Sequence, residues 1–190
     1  MSRLPSMPLS TDLASPRLSL RPLTVADVTD AYVGWLNDPE VTRFLETRHA
    51  AQTRETVEAF VAAVAARAHE HLFAIRLRAG GRHVGNIKVG PIHPLHRVGD
   101  VSLLIGARDV WGQGYAAEAI ELVSRHAFGA LGARKLSASL YAANVGSERA
   151  FLKAGWRREG LRRAHYALDG ERSDIVELGL IPEDLGRPGG

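Results

Sequence analysis

The chain has 190 residues, 45% of them hydrophobic, enough to bury one core and short for two. Its 24 lysines and arginines against 21 acids leave a formal charge of +3, which permits an anionic ligand without demanding nucleic acid. The lack of cysteine excludes disulfides, thiolate metal sites and a cysteinyl intermediate, and no run approaches the roughly 18 apolar residues of a membrane span, so a soluble, cytoplasmic protein is expected.

Residues 1–15, rich in Ser and Pro, read as a flexible N-terminal tail; one domain is expected over 16–182, with 183–190 as a flexible C-terminal tail. In "RLSLRPL", Leu18 and Leu20 alternate with Arg17, Ser19 and Arg21, the period of a half-buried strand. Thr24, with Asp27 three residues on, has the spacing of a capping box and predicts a helix through "VADVTDAYVGWLND". A second helix is predicted from Thr53 to His69, where Val57, Phe60, Val61, Val64 and Ala68 recur at helical spacing.

Three strands follow, over 71–77, 82–89 and 100–106, the first two joined by the hairpin-length "RAGG". An antiparallel meander is the simplest arrangement. Ala116, Ala119, Ile120, Val123 and Ala127 mark one face of a helix ending near "GALG", and "KLSASLY" (135–141) is strand-like. A helix over 147–155 stops at Gly155, and a last strand is expected over 174–181, with an extra one around 164–168. The order β-α-α-β-β-β-α-β-α-β predicts a single-domain α/β fold. The basic run "RREGLRR" (Arg157 to Arg163) reads as a solvated face or a phosphate patch, and the eight histidines show no ligand spacing, so no metal is expected.

The stretch "WGQGYAAEAI" (111–120) places two glycines immediately before a helix. Such a turn offers backbone N–H groups at the positive end of the helix dipole, suited to a phosphate or pyrophosphate; the alternative is a tight turn with no ligand. The P-loop pattern fails because Tyr115 and Ala116, not Lys and Ser or Thr, follow Gly114. "GQGYAA" satisfies a dinucleotide fingerprint locally, but no acid lies between Glu121 and Glu148 to bind a ribose, which leaves NADP with Arg134 and Lys135 as a weaker alternative. A coenzyme A pyrophosphate remains, with Arg108, Arg134 or Lys135 near its third phosphate.

With "IGARDVWGQGYAAEAI" and "LGARKLSASLYAANVGSERAFLKAGW", the segment Leu103 to Trp156 resembles the acetyl-CoA-binding core of the GNAT superfamily of N-acetyltransferases. The opening Arg17 to Leu23, then Trp35, Asn37 and Asp38, is similar to the RimJ/RimL-like branch of ribosomal-protein alanine and serine acetyltransferases. The resemblance covers 17 to about 181. It implies a GNAT fold: a mixed, mostly antiparallel central sheet flanked by about four helices, with acetyl-CoA as cosubstrate and a homodimer as a family option.

Carried over by position, the resemblance implies that N–H groups of Gly112, Gln113, Gly114, Tyr115 and Ala116 hold the pyrophosphate. Leu104 and Ile105 would pair with the pantetheine arm through their backbones, Asn144 would contact it from the other side, and Ser147 would lie near the sulfur. Trp35, Asn37, Asp38 and Arg43 would border the acceptor site. Two positions depart from the family pattern: its Gln or Arg three residues before the first glycine is Asp109, with Arg108 displaced by one, and its leaving-group tyrosine is Phe151.

An amine near pKa 10 must lose a proton before attacking a thioester. Asp100, at the start of "DVSLLIG", is the candidate base, with His83, His93 and His96 as weaker ones. An N–H around Leu104 would stabilise the oxyanion, and Ser147 or water would protonate the thiolate. The expected activity is acetyl transfer to a primary amine, a protein N-terminus or a small amine or amino sugar, by direct attack in a ternary complex. The competing reading is a non-catalytic CoA-sensing or nucleic-acid-binding module.

Overall fold

The computed structural model describes residues 13–186. Residues 1–12 and 187–190, most of the two expected tails, lie outside the described residues. Leu13–Ala14 (β1) already belongs to the sheet, Leu13 pairing with Leu20 of the antiparallel strand Leu18–Pro22 (β2), so the expected N-terminal tail is shorter than 15 residues. As the alternation predicts, Leu18 and Leu20 are fully buried.

The helix expected over 25–38 divides. Asp27 and Thr24 close a 3₁₀ turn over Val25–Asp27, Thr29 caps Asp30–Asn37 (α1), and Asp38 caps Pro39–Thr42 (α2). Pro39 forces the break: it lacks an N–H to continue α1 and holds Asp38 extended, at ψ 116°. Thr53 caps Arg54–Ala65 (α3), which buries Val57, Val61 and Val64 but leaves Phe60, at the edge of that stripe, 48% exposed. This helix stops before Ala68, correcting the predicted face at both residues.

His71–Leu77 (β3), His83–Val89 (β4) and Val98–Ile105 (β5) form the predicted antiparallel meander. Tyr115–Gly129 (α4), Lys135–Tyr141 (β6) and Val145–Lys153 (α5) follow, then the hairpin of Arg157–Leu168 (β7) and Glu171–Leu180 (β8). The basic run is thus itself strand. As the sheet edge, β7 is exposed on both faces and carries no period-two signal.

Among the described residues eight strands lie in the order β1-β2-β3-β4-β5-β6-β8-β7, with β5 and β6 the one parallel pair. α4 and α5 pack on one face, where Ala119, Ile120, Val123 and Ala127 meet Phe73, Ile87, Leu136 and Leu178. Phe151 and Trp156 are wholly buried there, edge to face at 4.8 Å. Phe151 is therefore a core residue, with no polar atom to give. α1 and α3 cover the β2–β3 end of the other face, through Tyr32, Val57, Val61 and Ala74, and α1 reaches His83 of β4 through Tyr32 and Trp35. Among the described residues no helix is long and apolar enough to cross a membrane.

Candidate active site

The sheet forks between β5 and β6. Their parallel pairing covers Val98–Asp100 against Lys135–Ser137 and then stops, while β5 stays paired with β4 as far as Ile105. Beyond Asp100 and Ser137 the two strands therefore present unpaired edges to one another. In an antiparallel pair alternate residues turn both backbone polar groups to the partner. The Gly90 N–H to Asp100 and the Gly106 N–H to Val84 bonds, 2.8 and 2.9 Å, set that phase. Leu104 therefore faces β4, and a Cβ on Gly85 would fall 2.2 Å from its carbonyl oxygen. Leu103 and Ile105 face the gap instead. The expectation for Leu104 is corrected by one residue, and the Ile105 carbonyl already accepts the Trp111 indole N–H at 2.8 Å.

Beside the fork, the glycine loop is open. Gly112 and Gly114 have φ of +75° and +82°, the left-handed region that a side chain resists. As the N-cap of α4, Gly114 has no side chain to bond the first turn. Among the described residues, no acceptor takes the N–H groups of Gly112, Gln113, Gly114, Tyr115, Ala116 or Ala117. Unsatisfied donors at the start of a 15-residue helix are a cradle for phosphate oxygens, so the residues present fit a pyrophosphate.

Two cations that the sequence reading missed flank this loop. The Arg17 guanidinium and the Lys153 ammonium each lie 3.6 Å from where a Gly114 Cβ would stand. Neither is near the loop in sequence, and no local pattern marks them. Arg108, by contrast, is turned away: it pairs with Glu40 and, at 3.5 Å, with Asp38, beside the Trp111 ring. Asp109 is held bidentately by Arg82 at 2.6 and 2.7 Å, and Lys135 pairs with Glu159. The expected roles of Arg108 and Lys135 toward the cofactor are not supported by these contacts.

On the opposite face, Asp100 and Ser137 stand at the crotch of the fork, the Ser137 hydroxyl donating to the Asp100 carboxylate. Asp100 is exposed and has no cationic partner among the described residues. Along the same face Ser139 donates to Glu177 at 2.9 Å, and Arg162 pairs with Glu177. Asn144 accepts the Ser147 N–H at 3.2 Å and so caps α5, which leaves its amide N–H groups and one lone pair of its oxygen for a ligand. The Ser147 hydroxyl has no partner among the described residues.

The segment after α2 bridges the two halves of the sheet. Tyr141, at the end of β6, donates to Glu46 at 2.6 Å and accepts from Arg48 at 2.9 Å, and Arg48 also reaches the Ala167 carbonyl at 3.2 Å. Burial and the bond to Glu46 push the Tyr141 phenol up; the same bond holds the Glu46 carboxyl below its ordinary value. Arg43 pairs with Asp169 at 2.9 Å in the β7–β8 turn. Asn37 is spent on Val33 and Gln52, and Trp35 packs where a Gly106 Cβ would be, 2.0 Å from its ring. Of the four expected acceptor residues, Asn37, Asp38 and Arg43 thus have their polar groups paired within the chain, and Trp35 contributes its ring to the packing.

His83, buried against Trp35, bonds Asn86 at 2.8 Å; burial holds its pKa below the ordinary imidazole value. His93 and His96 stack in the exposed loop before β5. In the basic run Arg157, Arg158 and Arg162 pair with Asp184, Glu148 and Glu177, so Arg163 is its one arginine without a carboxylate among the described residues. That pairing favours the solvated face over a phosphate patch.

Residues 17–157 match the family model described as an acetyltransferase (GNAT) domain. An uncharacterised N-acetyltransferase of Bacillus subtilis strain 168, YoaA, is 28% identical over 171 residues, 89% of this chain and 96% of that protein. The spermidine N-acetyltransferase of Vibrio cholerae, in complex with CoA and spermine, has the same fold: TM-score 0.79, 17% identity, 90% of this chain and 98% of that one. So does Mycobacterium smegmatis RimJ in complex with CoA-disulfide, at TM-score 0.76 and 20% identity over 90% and 85% of the two chains. Matched over most of its length by this family model, and over nearly all of it by a relative named as an N-acetyltransferase, the protein belongs to the GNAT acetyltransferase family, with acetyl-CoA as its cosubstrate.

Proposed function

We propose that this enzyme acetylates a primary amine, a protein N-terminus or a small amine or amino sugar, by direct attack in a ternary complex with Asp100 as the base. The observation that carries the reading is the position of Asp100: an exposed carboxylate without a cation, at the point where β5 and β6 part. Acetyl-CoA supplies an activated acyl group. The Gly112–Ala117 donors hold its pyrophosphate, and the backbone of Leu103 and Ile105 on one edge of the gap meets its arm.

An ammonium entering from the polar face meets Asp100, which attracts the cation and accepts its proton, directly or through water. The Ser137 hydroxyl orients that carboxylate. A gap-facing N–H of Leu103 or Ile105 is placed to donate to the developing oxyanion, in place of the Leu104 N–H expected from sequence. The Ser147 hydroxyl, without a partner among the described residues, relays to the leaving thiolate the second proton that the amine nitrogen gives up as the C–S bond breaks, directly or through water. With a parent pKa of about 8.5, that thiolate needs no strong acid, so a buried Phe151 is compatible with turnover.

The test is a calorimetric titration with acetyl-CoA, followed by a free-thiol assay over an amine panel: spermidine, an amino sugar, and peptides beginning with Ala or Ser. Asp100→Asn is expected to bind acetyl-CoA like the parent and to lose turnover. Binding without release of thiol toward any amine would favour a CoA-sensing module instead.

A further inference from the structure

Two distant parts of the chain converge on Gly114. Arg17 immediately precedes β2, where the fully buried Leu18 anchors it, and Lys153 ends α5. Arg17 is spent in a particular way. Its Nη1 donates to the Gln113 carbonyl at 2.9 Å, its Nε and Nη2 bind Glu118 at 2.7 and 2.6 Å, and its guanidinium lies 4.6 Å from the centre of the Tyr115 ring. Glu118 also accepts the Arg17 N–H at 3.1 Å and the Ser15 hydroxyl. Burial would raise the Glu118 pKa, but these bonds outweigh it and keep the group ionised. One side chain thus grips the loop, the first turn of α4 and the aromatic ring between them.

The consequence follows from peptide geometry. In a trans peptide the C=O and the next N–H point opposite ways, so fixing the Gln113 carbonyl on Arg17 fixes the direction of the Gly114 N–H. Two left-handed glycines could otherwise turn that peptide freely. Glu118 cancels most of the Arg17 charge. Lys153 has no carboxylate partner among the described residues, although it stands beside a second cation at the positive end of a helix. An unmatched ammonium in that field is stabilised by an anion. A depression of ≈ 430 Å³ opens here, lined by Arg17, Gly114, Glu118, Arg125 and Lys153.

We propose that Arg17 is a positioning residue that orients the pyrophosphate loop, and that Lys153 is the free cation the loop offers to the phosphates. The inference rests on the acetyl-CoA reading of the site. It makes the segment leading into β2 part of the donor site and divides two roles between two residues: geometry from Arg17, charge from Lys153.

The test measures acetyl-CoA affinity by calorimetry at low and high salt, and hydrogen exchange across residues 109–117 without ligand, for the wild type, Arg17→Gln, Arg17→Lys and Lys153→Met. Lys153→Met should bind about tenfold more weakly, with a shallower salt dependence and unchanged loop exchange. Arg17→Gln should lose a similar factor while the loop exchanges faster and β3 and β4 stay protected. Arg17→Lys restores the charge opposite Glu118 but lacks the fork that also reaches Gln113. If Arg17 positions the loop, thermal stability returns in this variant and affinity does not; if its role is only structural, both return and the proposal is overturned. Wild type that binds no acetyl-CoA would overturn the cofactor reading itself, whereas binding that survives both Arg17→Gln and Lys153→Met would overturn only the clamp.

Discussion

The two sides of the fork are built from different materials. On the α4 side the groups offered to a ligand are mostly backbone N–H groups, from Gly112 to Ala117 and along the edge of β5, with the Lys153 ammonium the one side chain proposed beside them. On the other side they are side chains: Asp100 and Ser137 at the crotch, Ser139 and Glu177 beyond it, and the Glu46–Tyr141–Arg48 bridge. A backbone site needs particular dihedral angles and tolerates many sequences, so it suits a ligand common to many enzymes. A side-chain site changes with every substitution and suits whatever distinguishes one acceptor from another.

That contrast can be broken most directly at Asp100. Asp100→Asn should lower kcat by about 10²–10⁴, the range for removal of a general base, and leave acetyl-CoA affinity unchanged; an equal loss in both would mean that the two sides are not separable. Gly114→Trp should do the reverse. Its indole would stand between Arg17 and Lys153 at a φ of +82°, and acetyl-CoA affinity should fall by about 100-fold or more in a protein that still shows a cooperative melt. Retained micromolar binding would place the phosphates elsewhere.

Tyr141→Phe sharpens the comparison on the acceptor side. Removing a hydroxyl that serves Glu46 and Arg48 should cost about 1 kcal/mol of stability and shift the KM for the amine several-fold. The Kd for acetyl-CoA should not move, since the bridge touches none of the loop.

The smallest effect concerns pH. His71 and His126 are held below the ordinary imidazole value of 6.5, chiefly by burial, and each leaves a ring nitrogen unpartnered. The unfolded chain then binds more protons than the folded one as pH falls below about 6.5, so stability present at neutral pH is lost on acidification. The melting temperature should drop between pH 7 and 5, and His126→Gln should make that slope shallower. An unchanged slope would assign the acid sensitivity to other groups.

The cradle was legible because its requirement is local: two glycines before a helix, with the apolar stripe Ala119, Ile120, Val123 and Ala127 to seat that helix on the sheet. Leu18 and Leu20 announced β2 in the same way. Where local signals were weak the reading slipped. The exposed edge strand β7 has no hydrophobic period. Asn37, Asp38 and Arg43, which the resemblance placed at the acceptor site, also tie the loops together, a role no local pattern announced. Choosing Leu103 over Leu104 required the β4–β5 register, since a one-residue shift reverses the direction of every backbone group.

By itself, then, the sequence determined the α/β class and most of the element order from β2 to α5, the two-glycine turn before α4 and the absence of a cysteine nucleophile, because periodicity, turn chemistry and composition act within a few residues. The tertiary structure alone decided where β5 and β6 part, which strand groups face the gap, and that Arg17 and Lys153 rather than Arg108 attend Gly114. Those are relations between segments as far as 101 residues apart, set by packing and strand pairing that no local pattern encodes.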